Sequence, residues 1–183
     1  MTELDIQINA TPNPATRMFS KEVTLTNTPF DATELAGSSE ALKTLLDCGL
    51  QSIFVGHNYL SLTKVDHLEW SNVQPRVLEV IDDVINNFNL VTEKHHKAQM
   101  PQDKTFNDPI VEKIHYLLET IVRPAVAHDG GDINFHSFDN GILNVRMSGA
   151  CNGCPSSPST LKMGVKNMMQ HVIPEVIDVE EVA

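Results

Sequence analysis

The sequence is poor in basic residues and in long apolar runs, and each shortage excludes a class of protein. Thirteen lysines and arginines stand against 24 acidic residues, which gives a net charge of −11. Nucleic acids and anionic membranes bind through clustered Lys and Arg, so we expect neither as a partner. No apolar run exceeds three residues, far fewer than a transmembrane helix needs. The acidic N-terminus also lacks the basic start of a signal peptide, and we expect a cytoplasmic protein.

Cysteine, glycine and proline are also few. Three cysteines do not make the even-numbered disulfide framework of a small secreted protein. Nine glycines and ten prolines exclude a collagen-like or low-complexity chain. What is present, 41% apolar and 20% charged residues in 183, is ordinary globular composition and is enough for one or two domains.

A polar segment divides the chain into two predicted domains. Residues 93–108 read EKHHKAQMPQDKTFND, with few large apolar side chains and one proline. Such composition is typical of a linker. We therefore predict two small α+β domains, at 1–92 and 108–183, joined by a polar linker at 93–107.

The first domain is predicted to combine strands with two helices. Alternating apolar residues at 4–10 predict a strand, and residues 23–25 are a weaker strand candidate. Ser39 is placed to cap a short helix, and residues 53–63 are typical of a β-hairpin. Pro75 is predicted to open a second helix. Its apolar stripe comprises Val77, Ile81, Val84, Ile85 and Phe88.

The second domain has a clearer pattern, in the order α-β-β-α-β. Asp108 is placed as the N-cap of a helix with a proline at its first position, and Pro124 should kink or end that helix. Residues 133–147 alternate on either side of an Asn-Gly turn and predict a hairpin. The last two elements are a helix capped by Ser157 and an edge strand at 176–179.

The loop after this hairpin carries the main chemical signal. It reads GACNGCPSS at 149–157, which places Cys151 and Cys154 three positions apart. Gly153 lets the backbone turn between the two thiols, and the following helix N-terminus favours thiolate, the form that binds metal. The surrounding glycines and proline predict an exposed loop. The third cysteine, Cys48, lies on an apolar helical pattern and is expected to pack in a core.

The residues alone leave several functions open for the Cys151/Cys154 pair. A dithiol–disulfide redox protein would use the two thiols directly. A zinc site or an iron–sulfur cluster held only by cysteines needs four thiolates, and two copies of this loop would supply them in a symmetric dimer. His128 is a further candidate for a ligand or a proton donor. The sequence contains no Ser/His/Asp triad, P-loop or GxGxxG motif.

Both predicted domains resemble the NifU/Nfu family of iron–sulfur scaffold and carrier proteins. The second domain is similar to the NifU-like C-terminal domain over residues 110–182. The segments that carry this resemblance are RPAV at 123–126, a DGGD turn at 129–132, GACNGCPSS at 149–157, TLK at 160–162 and IPEV at 173–176. The first domain is similar to the Nfu N-terminal domain over residues 6–88. Its matching positions are TPNP at 11–14, Phe19, IFVG at 53–56, Thr63-Lys64, Trp70 and Pro75.

The resemblance implies a 4Fe–4S cluster, built of iron and sulfide, bound between two protomers by Cys151 and Cys154 of each. It implies a homodimer when the cluster is bound, delivery of the cluster to apo iron–sulfur proteins, and upstream cluster-assembly proteins as donors. No enzymatic activity is expected. The first domain has no ligand set of its own and is assigned to client or dimer contacts. The expected compartment is a bacterial cytosol. The alternative function is that of a CxxC dithiol–disulfide redox protein.

Overall fold

The computed structural model describes residues 6–96, 108–152 and 157–182 and has the predicted α+β class. The N-terminal part is a five-stranded antiparallel sheet with the strand order β1-β2-β5-β4-β3. The strands are β1 (Gln7–Ala10), β2 (Thr16–Ser20), β3 (Phe30–Asp31), β4 (Leu50–Val55) and β5 (Tyr59–Lys64). The helices are α1 (Glu40–Leu46) and α2 (Trp70–His96), with a 3₁₀ turn at Thr33–Ser38 before α1.

Local signals for α1 and for the β4–β5 hairpin are confirmed. The hydroxyl of Ser39 accepts a hydrogen bond from the backbone N–H of Leu42, as an N-cap should. The predicted strand at 23–25 is wrong, since this segment joins no ladder and Val23 lies in a bend. The N–H of Leu25 instead donates to the carbonyl of His57 in the β4–β5 turn, at 2.7 Å.

The start of α2 was also predicted wrongly. The helix begins at Trp70, so that Pro75 lies inside it and removes one N–H from its hydrogen-bond ladder. Trp70 anchors the additional turn, because its indole N–H donates to the carbonyl of Pro14 at 3.2 Å and its ring packs against Phe19. The helix also continues to His96, which makes residues 93–96 of the predicted linker helical.

The C-terminal part has the predicted order α-β-β-α-β, with the first helical stretch divided. It runs through α3 (Pro109–Leu117), a π-helical turn (Leu118–Val122) and α4 (Arg123–His128). Asp108 caps α3, and its carboxylate accepts from the N–H of Ile110 at 2.8 Å. Pro124 lies at the start of α4, directly after the π turn. In a π turn the backbone hydrogen bonds span five residues instead of four. We attribute the position of this π turn to Pro124, which has no N–H to continue the regular helical hydrogen bonds.

The remaining C-terminal elements form a three-stranded sheet and one helix. Strands β6 (Gly131–Asp139) and β7 (Ile142–Gly149) are an antiparallel hairpin closed by Asn140 and Gly141, both with positive φ. Helix α5 (Ser157–Val172) then crosses over to β8 (Asp178–Glu181), which pairs parallel to β7 at the sheet edge. The predicted edge strand is therefore confirmed, two residues later than expected.

Strand β5 is buried along its whole length because it contacts both parts of the molecule. Leu60 and Leu62 lie in the N-terminal core, packed with residues of α1 and α2. The alternate residues point the other way, and Tyr59 and Ser61 reach the C-terminal part. Among the described residues, no helix has the length and apolar character needed to cross a membrane.

Candidate functional site

Cys151 lies two residues after the end of β7, where the chain turns out of the sheet. Gly149, the last residue of β7, has a φ of +66°, a conformation that favours glycine. A Cβ at this position would lie 2.6 Å from the carbonyl oxygen of Gly130. The backbone can therefore take this conformation only with glycine at position 149. This sets the position of the turn that places Cys151.

Cys151 is buried, so the prediction of an exposed loop is wrong at this residue, although the next one, Asn152, is exposed. The rest of the loop, residues 153–156, lies outside the described residues. Only 7% of Cys151 is exposed, and it packs in the C-terminal core cluster. Gly131 lies against it so closely that an added Cβ would stand 2.4 Å from the Cys151 Sγ. Turn residues around a cysteine indicate a bend in the backbone, but tertiary packing decides whether that bend faces solvent.

The backbone of Gly130 and Gly131 forms one wall of the site and is held from two directions. Within the C-terminal domain, the N–H of Ala150 donates to the Gly130 carbonyl at 3.0 Å. From the N-terminal sheet, Ser61 Oγ donates to the same carbonyl at 2.5 Å and the Tyr59 hydroxyl donates to the Gly131 carbonyl at 3.0 Å. Burial, followed by the negative charge of Asp132, raises the pKa of Tyr59, so its hydroxyl remains a donor at neutral pH.

An ion pair supports the same wall from behind. Asp132, only 2% exposed, accepts from Arg123 through Nε–H to Oδ1 at 2.7 Å and Nη2–H to Oδ2 at 3.1 Å. Arg123 also bonds Glu119 and Asn134. The hydrogen bond to Asp132 is the main reason that the pKa of Arg123 is raised, which keeps the guanidinium charged. A bidentate pair of this kind fixes α4 against the start of β6.

Sequence reasoning missed these supporting residues. Asp132 was read as part of a turn, whereas it is the second residue of β6. Asp132 and Asn134 are two positions apart on a strand and therefore share a face, and Arg123 precedes them in the chain. This pattern could have indicated that Asp132 forms a buried ion pair with Arg123. Tyr59 and Ser61 gave no local signal, because their partners lie 72 and 69 residues further along the chain.

The other predicted ligands are placed as follows. Cys154 lies outside the described residues. Cys48 is buried in the N-terminal core, far along the chain from the loop, as its apolar pattern indicated. His128 is a surface residue with a side chain 92% exposed, and its Nδ1 is 3.8 Å from a carboxylate oxygen of Asp129. In the described part of the chain, no group of three or more His, Cys, Asp or Glu side chains could hold a metal ion.

The protein matches two family models, one for each part of the fold. Residues 6–88 match the model described as "Scaffold protein Nfu/NifU N terminal", and residues 114–180 match "NifU-like domain". A human protein named "NFU1 iron-sulfur cluster scaffold homolog, mitochondrial" is 36% identical over 97% of this chain and 71% of its own. The chain belongs to the Nfu/NifU family.

Two further comparisons show how far the similarity extends. The relative of the same name from Drosophila willistoni is 38% identical over 97% of this chain and 63% of its own length, so this chain spans somewhat under two thirds of that relative. The solution structure of a NifU-like protein from Saccharomyces cerevisiae is 17% identical over 47% of this chain and 84% of its own, with a TM-score of 0.39.

Proposed function

We propose that this protein is an iron–sulfur cluster scaffold and carrier, without enzymatic activity of its own. Membership of the Nfu/NifU family, through models that match both domains, is the observation that carries the proposal. The relatives at 36–38% identity that share nearly the whole chain are named as iron–sulfur cluster scaffold homologs. Their names include "mitochondrial", whereas for this chain we propose the cytoplasm.

The proposed ligands are Cys151 and Cys154 from each of two protomers, which together bind one 4Fe–4S cluster. Four thiolates are the usual ligand set of such a cluster, and each loop contributes two. A twofold dimer brings two identical loops together. The cluster is then cargo rather than a permanent cofactor. It is released when the protomers separate, or when incoming thiolates of a recipient protein replace these ligands one at a time.

The proposed partners are upstream cluster-assembly proteins, as donors, and apo iron–sulfur proteins, as recipients. The C-terminal domain holds the cluster, and the N-terminal domain makes client or dimer contacts. We do not propose nucleic acid as a partner, since a protein with a net charge of −11 has little general affinity for it.

Anaerobic reconstitution with iron and sulfide tests the proposal. We expect about four irons and four sulfides per dimer, with broad visible absorption. Sedimentation should give a monomer for the apo chain and a dimer for the holo chain, because a ligand that binds only the dimer stabilises it by mass action. A colourless chain that reduces disulfides would overturn the proposal in favour of a redox protein. A monomer with a complete cluster would overturn the shared ligand set.

A further inference from the structure

The N-terminal sheet covers the backbone that encloses Cys151. Tyr59 and Ser61, on the face of β5 opposite the N-terminal core, donate hydrogen bonds to the carbonyls of Gly131 and Gly130, at 3.0 and 2.5 Å. We call these two hydrogen bonds the interdomain latch. Both cross between the domains and both are buried.

Contacts on the other side of Cys151 extend this cover. Phe54 of β4 stands so close to Gly149 that an added Cβ would lie 2.9 Å from its ring. Asn152, the residue after Cys151, is exposed and lines an open surface pocket together with Gln51 and Ser52 of β4. Residues on both sides of Cys151 therefore face the N-terminal sheet.

This arrangement conflicts with the requirements of a cluster shared by two chains. Iron must reach the Cys151 sulfur, and the loop of a second protomer must come within a few ångströms of it. Here the residue is 7% exposed, and the wall formed by Gly130 and Gly131 is fastened to β5. The conformation described is therefore one in which Cys151 is protected rather than ready to bind.

We propose that the N-terminal sheet is a shield over Cys151, held shut by the interdomain latch, and that it opens when the cluster is loaded or transferred. Tyr59 and Ser61 are positioning residues in this proposal and do not touch the cluster. The proposal rests on the function proposed above. It adds to the client or dimer contacts of the N-terminal domain a second role, which is to control the access of iron and of a second protomer to Cys151.

The strength of the latch suits a reversible shield. Each bond joins neutral groups, and one such bond changes an equilibrium by roughly 2- to 12-fold. Losing the Ser61 bond leaves the Gly130 carbonyl its bond from Ala150. The backbone at Gly130 and Gly131 can therefore keep its conformation when the latch opens, so that opening does not require the C-terminal domain to unfold.

Alkylation of the apo chain tests the proposal without iron. The background is the full-length chain with Cys154→Ser, which leaves Cys151 and Cys48 as the two thiols. Iodoacetamide labelling is followed separately for each thiol by peptide mass spectrometry. Tyr59→Phe and Ser61→Ala should each increase the labelling rate of Cys151 about threefold, and together about tenfold. Cys48 should label at its original rate, since it reports on opening of the N-terminal core.

Matched controls are available for both changes. Tyr116→Phe makes the same substitution at an exposed position, and Ser20→Ala at a half-buried one whose hydroxyl donates to the carbonyl of Gln7 within the N-terminal sheet. Neither should alter the Cys151 rate. An unchanged Cys151 rate in the double latch variant would overturn the proposal. So would an equal increase at Cys48, because the cause would then be general destabilisation.

A second measurement separates this proposal from the proposed function. With Cys154 restored, the double latch variant should take up iron and sulfide faster than the unmodified chain. If no variant assembles a cluster but Cys151 labelling still increases, the scaffold function is wrong and the shield stands. If clusters assemble at one common rate and Cys151 labelling is unchanged, the shield is wrong and the scaffold function stands.

Discussion

The two domains each bury one cysteine to almost the same extent, yet they treat it differently. Cys48 is 5% exposed and Cys151 is 7% exposed. Cys48 lies just past the end of α1, where its thiol donates to the carbonyl of Thr44 at 3.4 Å, within a core of aliphatic side chains. Cys151 lies at the end of a strand, against Gly131 and beneath a wall held by another domain.

The comparison shows that burial by itself does not separate a structural cysteine from a candidate ligand. Cys48 packs in the core cluster of its own domain. Cys151 also packs in the core of its own domain, but the Gly130–Gly131 wall against it is in addition hydrogen-bonded to the N-terminal sheet. What distinguishes the two thiols is therefore which contacts must break to expose them.

The largest expected difference concerns cluster content. Cys151→Ala and Cys48→Ala each remove one buried sulfur, and we expect each to cost about 1 kcal/mol of unfolding free energy. Only Cys151→Ala should abolish cluster binding in anaerobic reconstitution, because only it removes a proposed ligand. Iron and sulfide counts, with urea unfolding of the same samples, measure both effects. If Cys48→Ala loses the cluster while Cys151→Ala keeps it, the site assignment is wrong.

A smaller difference is expected between two glycines of the C-terminal domain. Gly131→Ala would place a Cβ 2.4 Å from the Cys151 Sγ and 3.1 Å from the Ser148 carbonyl, so we expect a loss of about 1–3 kcal/mol. Gly164, inside α5, has nothing within 4 Å of an added Cβ. Gly164→Ala should therefore stabilise the chain by about 0.5–1 kcal/mol. Urea unfolding curves measure both variants. A Gly131→Ala variant that is as stable as the unmodified chain, or more stable, would contradict the packing described around Cys151.

The smallest effect concerns pH and Cys48. Burial raises the pKa of the Cys48 thiol above its ordinary value of 9.0; Arg76 acts in the opposite direction, and the carboxylates of Asp47 and Glu79 add to the rise. The folded chain therefore prefers the neutral thiol more than the unfolded chain does. This contribution to stability is complete below pH 9 and is lost as the pH rises towards the raised value.

Urea unfolding under reducing conditions at pH 7 and pH 10 tests this. The unmodified chain should lose more unfolding free energy between the two pH values than Cys48→Ala, since other titrating groups are common to both. An equal loss in the two proteins would show that the surroundings of Cys48 do not favour the neutral thiol.

Elements with strong local signals were predicted well. Asp108 and Pro109 start α3, and Asn140 and Gly141 close the β6–β7 hairpin, because caps and tight turns depend on the few residues that form them. The start of α2 could not be predicted, since the first turn depends on the contact of Trp70 with Pro14, 56 residues away. Strand β2 was missed for a similar reason. Its partners, β1 and β5, are known only once the sheet has formed.

The sequence by itself determined the α+β class, the α-β-β-α-β order of the second domain, the family, and the CxxC pair that makes Cys151 a candidate ligand. These depend on residue type and on spacing along the chain, which the sequence contains directly. Only the tertiary structure decided that the Cys151 sulfur is buried, that Gly131 packs against it, and that Tyr59 and Ser61 fasten the wall around it. The two hydrogen bonds join residues 72 and 69 positions apart, and contacts at that separation are set by how two folded surfaces fit together. The packing of Gly131 against Cys151 depends in turn on how the β6–β7 hairpin places the two residues side by side.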